Sequence, residues 1–285
     1  MRRLWSHHDV AQSVGEKLGR RSLLLGSLPG IEAAQTSAMK AVRNLVVVLG
    51  DQLDVQASAL AGFDPTLDVV WMAEVAEEST HVWSAKQRIV MFLAAMRHFA
   101  DELRTQGYPL LYVALADADN RGTLALQLQH ALTQLQPERI VMTAPGDWRV
   151  LQQLRAVATA QHLPLELRDD THFFSTVREF AAHAKGRTQL RLEYWYRELR
   201  QKHGILMNGQ APLGGQWNFD ADNRASFGKG GPSKVPPPLR FAPDAITQEV
   251  IELVNARFAD HPGSLATFGW PVTRAQAQQA LHAFI

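Results

Sequence analysis

Leu45, Val46, Val47, Val48 and Leu49 form an unbroken apolar run that ends at Gly50 and Asp51. A run without polar alternation fits a strand covered on both faces, as in a parallel sheet. Short strand-like runs at 69–72, 110–115, 139–142 and 163–167 repeat the signal. Between them the period changes. Ile89, Phe92, Met96, Phe99 and Leu103 recur every three or four residues across 84–106, one apolar stripe closed by Gly107. Leu124, Leu128, Ala131, Leu132 and Leu135 do the same before Pro137, as do Trp148, Leu151, Leu154, Ala158 and His162 before Pro164. Strands alternating with helices at this spacing predict βαβ units. The expected fold is α/β, a Rossmann-like five-stranded, mostly parallel sheet flanked by helices. A helical and Gly/Pro-rich connector follows it.

The α/β domain is expected over 43–170. After residue 171 the strand signals stop. Residues 176–203 read as helical, with Phe180 and the group Tyr194, Trp195 and Tyr196. Residues 208–242 hold six Gly, five Pro, three Asn and a Trp, the composition of a long ordered loop. The connector is expected to run over 171–246. Two further helical patterns, 247–258 and 273–285, read as the start of a helical domain over 247–285. The last pattern ends on Ala283, Phe284 and Ile285 with no capping Gly and no basic last turn, so it reads as cut. Residues 1–42 are expected to be a weakly ordered extension. Arg20 and Arg21 precede a leucine run that Gly26 and Pro29 break, which argues against an export signal. Met39, just before the first strand, is the expected natural start.

The 285 residues include no cysteine, which excludes disulfides, thiolate-bound metals and thiol nucleophiles. No run of 18 apolar residues exists, so no membrane span is predicted, and the expected compartment is the cytoplasm. The net charge of +1 hides an asymmetry. Residues 51–120 carry 11 acidic and 4 basic side chains, a balance of −7; residues 181–240 carry 10 basic and 4 acidic, a balance of +6. The second stretch suits a polyanionic partner, or is an ordinary solvated face.

Neither a dinucleotide-binding glycine triplet nor a P-loop is present, and Gly50-Asp51 has no second glycine after it. His7 and His8 lie in the extension without a partner at ligand spacing. His98 flanks the apolar stripe of its helix and reads as structural. Ligands of open parallel sheets sit beyond the carboxyl ends of the strands. Asp51 and Gln52 end the first strand there, and Glu74, Glu77 and Glu78 end the second. Such acceptors suit the imide, amide or ribityl hydroxyls of a small polar ligand; helix capping and loop solvation explain them as well. Arg224, Lys229 and Lys234 lie among glycines after Trp217 and Phe219. Cations there can follow a phosphate backbone, and the aromatics read as plugs of an interdomain strap.

Several segments together resemble one family. They are residues 45–53 (LVVVLGDQL), 95–100 with Glu102, Leu103 and Gly107, and 145–150 (PGDWRV). Lys185-Gly186-Arg187 with Gln189, Leu190, Glu193 and Tyr194, residues 204–208 (GILMN) and residues 217–224 complete the set. The chain resembles the bacterial photolyase/cryptochrome-related proteins, in the iron–sulfur branch that includes (6-4) photolyases, from about residue 43 to its end. The resemblance implies an N-terminal α/β domain holding 6,7-dimethyl-8-ribityllumazine as antenna. It implies a C-terminal helical domain holding FAD and a four-iron four-sulfur cluster on cysteines. Light energy then drives electron transfer to a flipped-out lesion in ultraviolet-damaged DNA. By resemblance Asp51, Gln52 and Glu78 contact the antenna, with Glu74 on the same lip. Residues 220–234 approach the lesion.

The sequence departs from that pattern. It stops where the helical domain is only beginning, so FAD and cluster are not expected to bind. Ser84 and Ala85 stand where relatives carry a His pair, and Phe92 is expected to narrow the antenna cavity. The chain therefore reads as the antenna half of a light-driven DNA-repair flavoprotein, incompetent for repair by itself. The alternative is a non-catalytic α/β module that binds nucleic acid or a protein through 185–240. Exposed apolar faces on 247–258 and 273–285 would favour self-association.

Overall fold

All five expected strands form, and every pairing in their sheet is parallel. In the computed structural model, which describes residues 41–285 except 222, 223, 225, 227, 233 and 234, they are β1 (Asn44–Val47), β2 (Asp68–Ala73), β3 (Leu110–Val113), β4 (Arg139–Thr143) and β5 (Leu165–Arg168). Their order is β3-β2-β1-β4-β5. The expected N-terminal extension, with His7 and His8, lies outside the described residues apart from 41 and 42. Only a short 3-10 turn (Ser58–Leu60) separates β1 from β2; helices α1 (Ala76–Thr80) and α2 (Lys86–Thr105) both lie between β2 and β3, α3 (Leu124–Leu135) between β3 and β4, and α4 (Trp148–Ala160) between β4 and β5.

The absence of alternation in β1 has a direct cause. Leu45 and Val47 pack with Trp71, Leu128, Leu132 and Leu154 under α3 and α4, while Val46 and Val48 pack with Met72, Met96, Phe99 and Leu103 under α2. Each face of the strand has its own apolar layer, so neither tolerates a polar residue. Trp71 and Leu45 are 0% exposed.

The region beyond β5 splits into α5 (Val177–Ala184) and α6 (Leu192–His203), where the sequence suggests one helical stretch. Thr176 and Glu179 form a reciprocal capping box that starts α5, and Lys185 ends it in extended conformation. A two-residue hairpin follows, β6 (Met207–Asn208) with β7 (Ala211–Pro212), and then the long loop. Gly214 there sits at φ +79°, and a side-chain carbon would come within 3.0 Å of the Phe219 ring, so the turn requires glycine twice over.

Helix α7 (Ala245–Arg257) lies on α2. Val250, Val254 and Phe258 join Ile89, Val90 and Leu93 in a third apolar cluster. The expected apolar face of the first C-terminal helix is thus covered by the chain's own α2. Helix α8 (Arg274–Phe284) buries no residue, and Leu281, Phe284 and Ile285 are exposed.

One buried ion pair joins these parts. Glu74, 1% exposed at the end of β2, accepts from Arg97 Nε at 2.8 Å and Nη2 at 3.1 Å. It also accepts from the Tyr112 hydroxyl at 2.6 Å and the Leu115 amide at 2.7 Å. Arg97 extends the link by donating to Glu249 of α7 at 2.8 Å. Burial would depress the Arg97 guanidinium, but Glu74 outweighs it and holds the group well above its ordinary range. Burial and Glu74 both raise the Tyr112 phenol, which stays protonated as a donor.

Truncating Glu74→Ala leaves Arg97 half-buried without its main partner and should lower stability by about 3 kcal/mol or more. Glu249→Ala removes only the exposed arm and should cost less than about 1 kcal/mol. Urea unfolding of the two variants should show this asymmetry; equal losses would contradict the clamp.

Candidate functional site

The carboxyl ends of β1, β2 and β4 open onto a cavity of about 290 Å³, walled by α1, the first turns of α2 and the start of α4. This is where an open parallel sheet places ligands. Gly50 ends β1's apolar run against α2; a side-chain carbon there would meet Met96 Sδ at 2.9 Å. A larger residue at this point would push the Met96 side chain aside, and the next residue, Asp51, lines the cavity. The apolar part of the wall is Val48, Ile89, Phe92 and Leu93, with Leu124 and Val150. Phe92 does line the cavity, as expected.

The expected acceptors divide into different roles. Asp51 makes no side-chain hydrogen bond or ion pair with another described residue. Desolvation raises its carboxyl above the usual range, its own backbone amide opposes that, and repulsion from Asp170 and Asp147 adds to it. Glu78 lines the cavity but is held by Arg149, whose Nη2 lies 2.9 Å from both carboxylate oxygens. Glu74 also borders the space, with both oxygens already engaged in the clamp. Gln52 is buried beside the site and does not line it. Its amide donates to the Thr143 and Ala144 carbonyls, each at 3.3 Å, so it ties the β1 loop to the end of β4.

Sequence reasoning passed over four groups here. Asp147 caps α4 by accepting from the Arg149 amide at 2.7 Å, and that bond holds its carboxyl below the usual range. Arg149 reaches from α4 to Glu78 and, at 3.3 Å, to Asp147. Arg88 projects from the first turn of α2, exposed, with the Phe92 ring centroid 5.4 Å from its guanidinium carbon. Ser79 contributes from α1, a helix the sequence reading merged with the strand end. Its signal was the acidic pair Glu77 and Glu78, which favours a helix N-terminus. His98 has the structural place expected of it, 3.1 Å from Asp244, the cap of α7.

The second expected region lies apart from this cavity. Trp217 lies near two guanidinium groups, Arg197 at 5.4 Å and Arg200 at 5.3 Å from its ring. Those arginines also lie over Tyr194 and Tyr196 of α6, each at 5.7 Å. Arg224 and Lys229 are exposed and make no hydrogen bond or ion pair with a described residue. Lys234 lies outside the described residues. No group of three or more His, Asp or Glu able to hold a metal occurs among the described residues. No described helix is long and apolar enough to cross a membrane.

A family model described as deoxyribodipyrimidine photo-lyase-related protein matches residues 46–270, which takes in the sheet, the cavity and the long loop. The chain belongs to this photolyase-related family. A (6-4) photolyase of Agrobacterium fabrum is 44% identical over 246 residues, 85% of this chain and 47% of that protein. The chain thus spans about half the length of that relative. An uncharacterized protein of Acanthamoeba polyphaga mimivirus is 22% identical over 206 residues, 68% of this chain and 98% of that protein. In this photolyase-related chain the cavity at the sheet's edge offers a carboxylate without a cation, Asp51, and a cation without a carboxylate, Arg88. Two side chains of opposite charge thus face the cavity without an ionic partner among the described residues.

Because the raised Asp51 group ionises less readily in the folded chain, its contribution to stability is present in acid and lost as pH rises. Asp51→Asn should therefore match the parent below about pH 4 and gain on it toward neutrality. Denaturation midpoints of both proteins across that range test this; a gain that is constant with pH would refute it.

Proposed function

We propose that the chain is the antenna-binding portion of a photolyase-like DNA-repair flavoprotein and that its cavity takes 6,7-dimethyl-8-ribityllumazine. The observation that carries this reading is Asp51, the carboxylate at the cavity with no cationic partner, set against an apolar wall at the carboxyl edge of the sheet. Ring N–H or hydroxyl donors of such a heterocycle would satisfy Asp51, and Phe92 would pack on its flat face. When bound, the heterocycle supplies light absorption. The chain's own residues hold it and shield it from water. The family and the likeness to a (6-4) photolyase support the assignment. We place the protein in the cytoplasm. A cluster held by thiolates finds no cysteine in this chain, and we assign neither cluster, FAD nor the repair step to it.

Titrating the lumazine should raise its fluorescence anisotropy in the range of roughly tens of micromolar or tighter. Asp51→Ala should weaken binding about tenfold or more, the share of a charge-assisted hydrogen bond. No anisotropy change at those concentrations would end the proposal.

The second part of the reading concerns ultraviolet-damaged DNA, met by the basic stretch. Exposed Arg224 and Lys229 would meet phosphates, and Tyr194, Tyr196 and Trp217 would form a stacking face that Arg197 and Arg200 keep in place. This also serves the alternative of a non-catalytic module acting through 185–240. DNA affinity should fall steeply with salt, and replacing both Arg224 and Lys229 by Ala should reduce the logarithmic slope by about 1–2. A slope unchanged by the double variant would remove these residues from the interface.

A further inference from the structure

We propose that a second cavity, between α6 and the long loop, takes one unpaired guanine of a single DNA strand. The proposal rests on the reading that residues 185–240 meet DNA, and it goes beyond that reading by assigning a pocket, a base and the groups that select it.

This cavity measures about 720 Å³. Tyr196, Trp217 and Phe219 line it, together with Leu206 and Leu213. Tyr196 and Phe219 are 53% and 44% exposed, so aromatic surface stands open to a flat partner. The rings also have fixed neighbours. Arg200, itself buried, lies 5.7 Å from the Tyr196 ring and 5.3 Å from the Trp217 ring, and Phe219 packs against Gly214. Base–aromatic stacking supplies affinity without choosing a base, because every base has a π-face.

The choice comes from the polar groups. Arg200 is the one cation among the described residues that line the cavity, and it is spent on the Ile205 and Leu206 carbonyls. A phosphate finds no open cation there. Two carboxylates, Glu193 and Asp220, line the same space. Glu193 gives one oxygen to Arg197, and Asp220 gives one to the Asn218 side-chain amide at 3.3 Å. The second oxygen of each has no hydrogen-bond partner among the described residues. A carboxylate oxygen only accepts, so the matching ligand is flat, uncharged and edged with N–H donors. Guanine carries two adjacent donors, N1–H and the N2 amino group, on its pairing edge. Adenine, cytosine and thymine each place an acceptor beside the donor on that edge, which a carboxylate repels. The edge is open only where the base is unpaired.

The test measures fluorescence anisotropy of labelled single-stranded 11-mers on the full chain: all thymine, the same strand with one central guanine, and the same with hypoxanthine, which lacks the N2 amino group. The guanine strand should bind about tenfold more tightly than the thymine strand, with hypoxanthine between them. Both affinities should fall with salt while their ratio holds, since the phosphates are identical. Glu193→Gln and Asp220→Asn should each shrink the ratio, and the double variant should bring it close to one. Equal affinities for the three strands, or a guanine preference that survives the double variant, would overturn the proposal while leaving the DNA reading in place. The hypoxanthine comparison needs no variant, so it decides the matter even if a variant fails to fold. If no strand binds, both readings fall.

Discussion

The cavity owes its shape to one ionic contact, Glu74 with Arg97. Glu74 ends β2 with its carboxylate buried, a position that costs several kcal/mol unless the charge is paired and fully hydrogen-bonded. The structure meets that demand from three elements at once: Arg97 on α2, Tyr112 on β3 and the Leu115 amide beyond β3. Satisfying one buried charge therefore fixes where α2 lies against the carboxyl edge of the sheet. Phe92 and Arg88 stand on the same helix, so their placement follows from it. The Arg97 arm to Glu249 adds α7 to the assembly, although the apolar seam of Val250 and Val254 carries more of that attachment.

The same logic explains why so few charges remain available to a ligand in an acidic stretch. Counted along the sequence, residues 51–120 are strongly negative. Counted in space, they are largely neutralised near the site. Glu74 faces Arg97 and Glu78 faces Arg149 from the other side of the sheet order, while at the opposite end of β2 Asp68 is held by Arg43 and Asn44. Only groups left out of these pairings can contribute differential charge to binding. A surplus counted in sequence windows is a poor guide to the potential inside a cavity, because the compensating cation can come from 71 residues away, as Arg149 does for Glu78.

Much of the fold was legible in the sequence because its signals are local and repeated. The β1 run, the 89–103 stripe and the breaks at Pro137 and Pro164 each encode one element and its covered face. The elements that escaped are those with weak local signals. Helix α1 has five residues and no side-chain cap. The break between α5 and α6 depends on Lys185 leaving helical conformation, which no Pro announces. The site was legible in location and less so in roles. Asp51, Glu74 and Glu78 could be placed at the edge of the sheet by topology alone. That Glu74 and Glu78 are spoken for, and that Gln52 turns away to the Thr143 and Ala144 carbonyls, depends on contacts between distant residues. Arg88 escaped for the opposite reason, since what marks it is the lack of a partner, which a sequence cannot display.

Free and committed groups also separate the two regions of the chain. In the loop region the arginines nearest the aromatics, Arg197 and Arg200, are anchored: Arg197 to Glu193, Arg200 to the Ile205 and Leu206 carbonyls. Anchoring gives up reach but holds the guanidinium planes over Trp217, Tyr194 and Tyr196 at little further entropic cost. Arg224 and Lys229 have the opposite character, with long side chains free to follow a partner. Aromatic stacks held in place beside cations without an ionic partner are the features on which the proposed reading of a polyanionic partner rests. The cavity at the sheet edge works the other way, with a fixed wall and two uncommitted charges of opposite sign. The chain thus presents two different surfaces, and what distinguishes them is which of their charges the fold has already used.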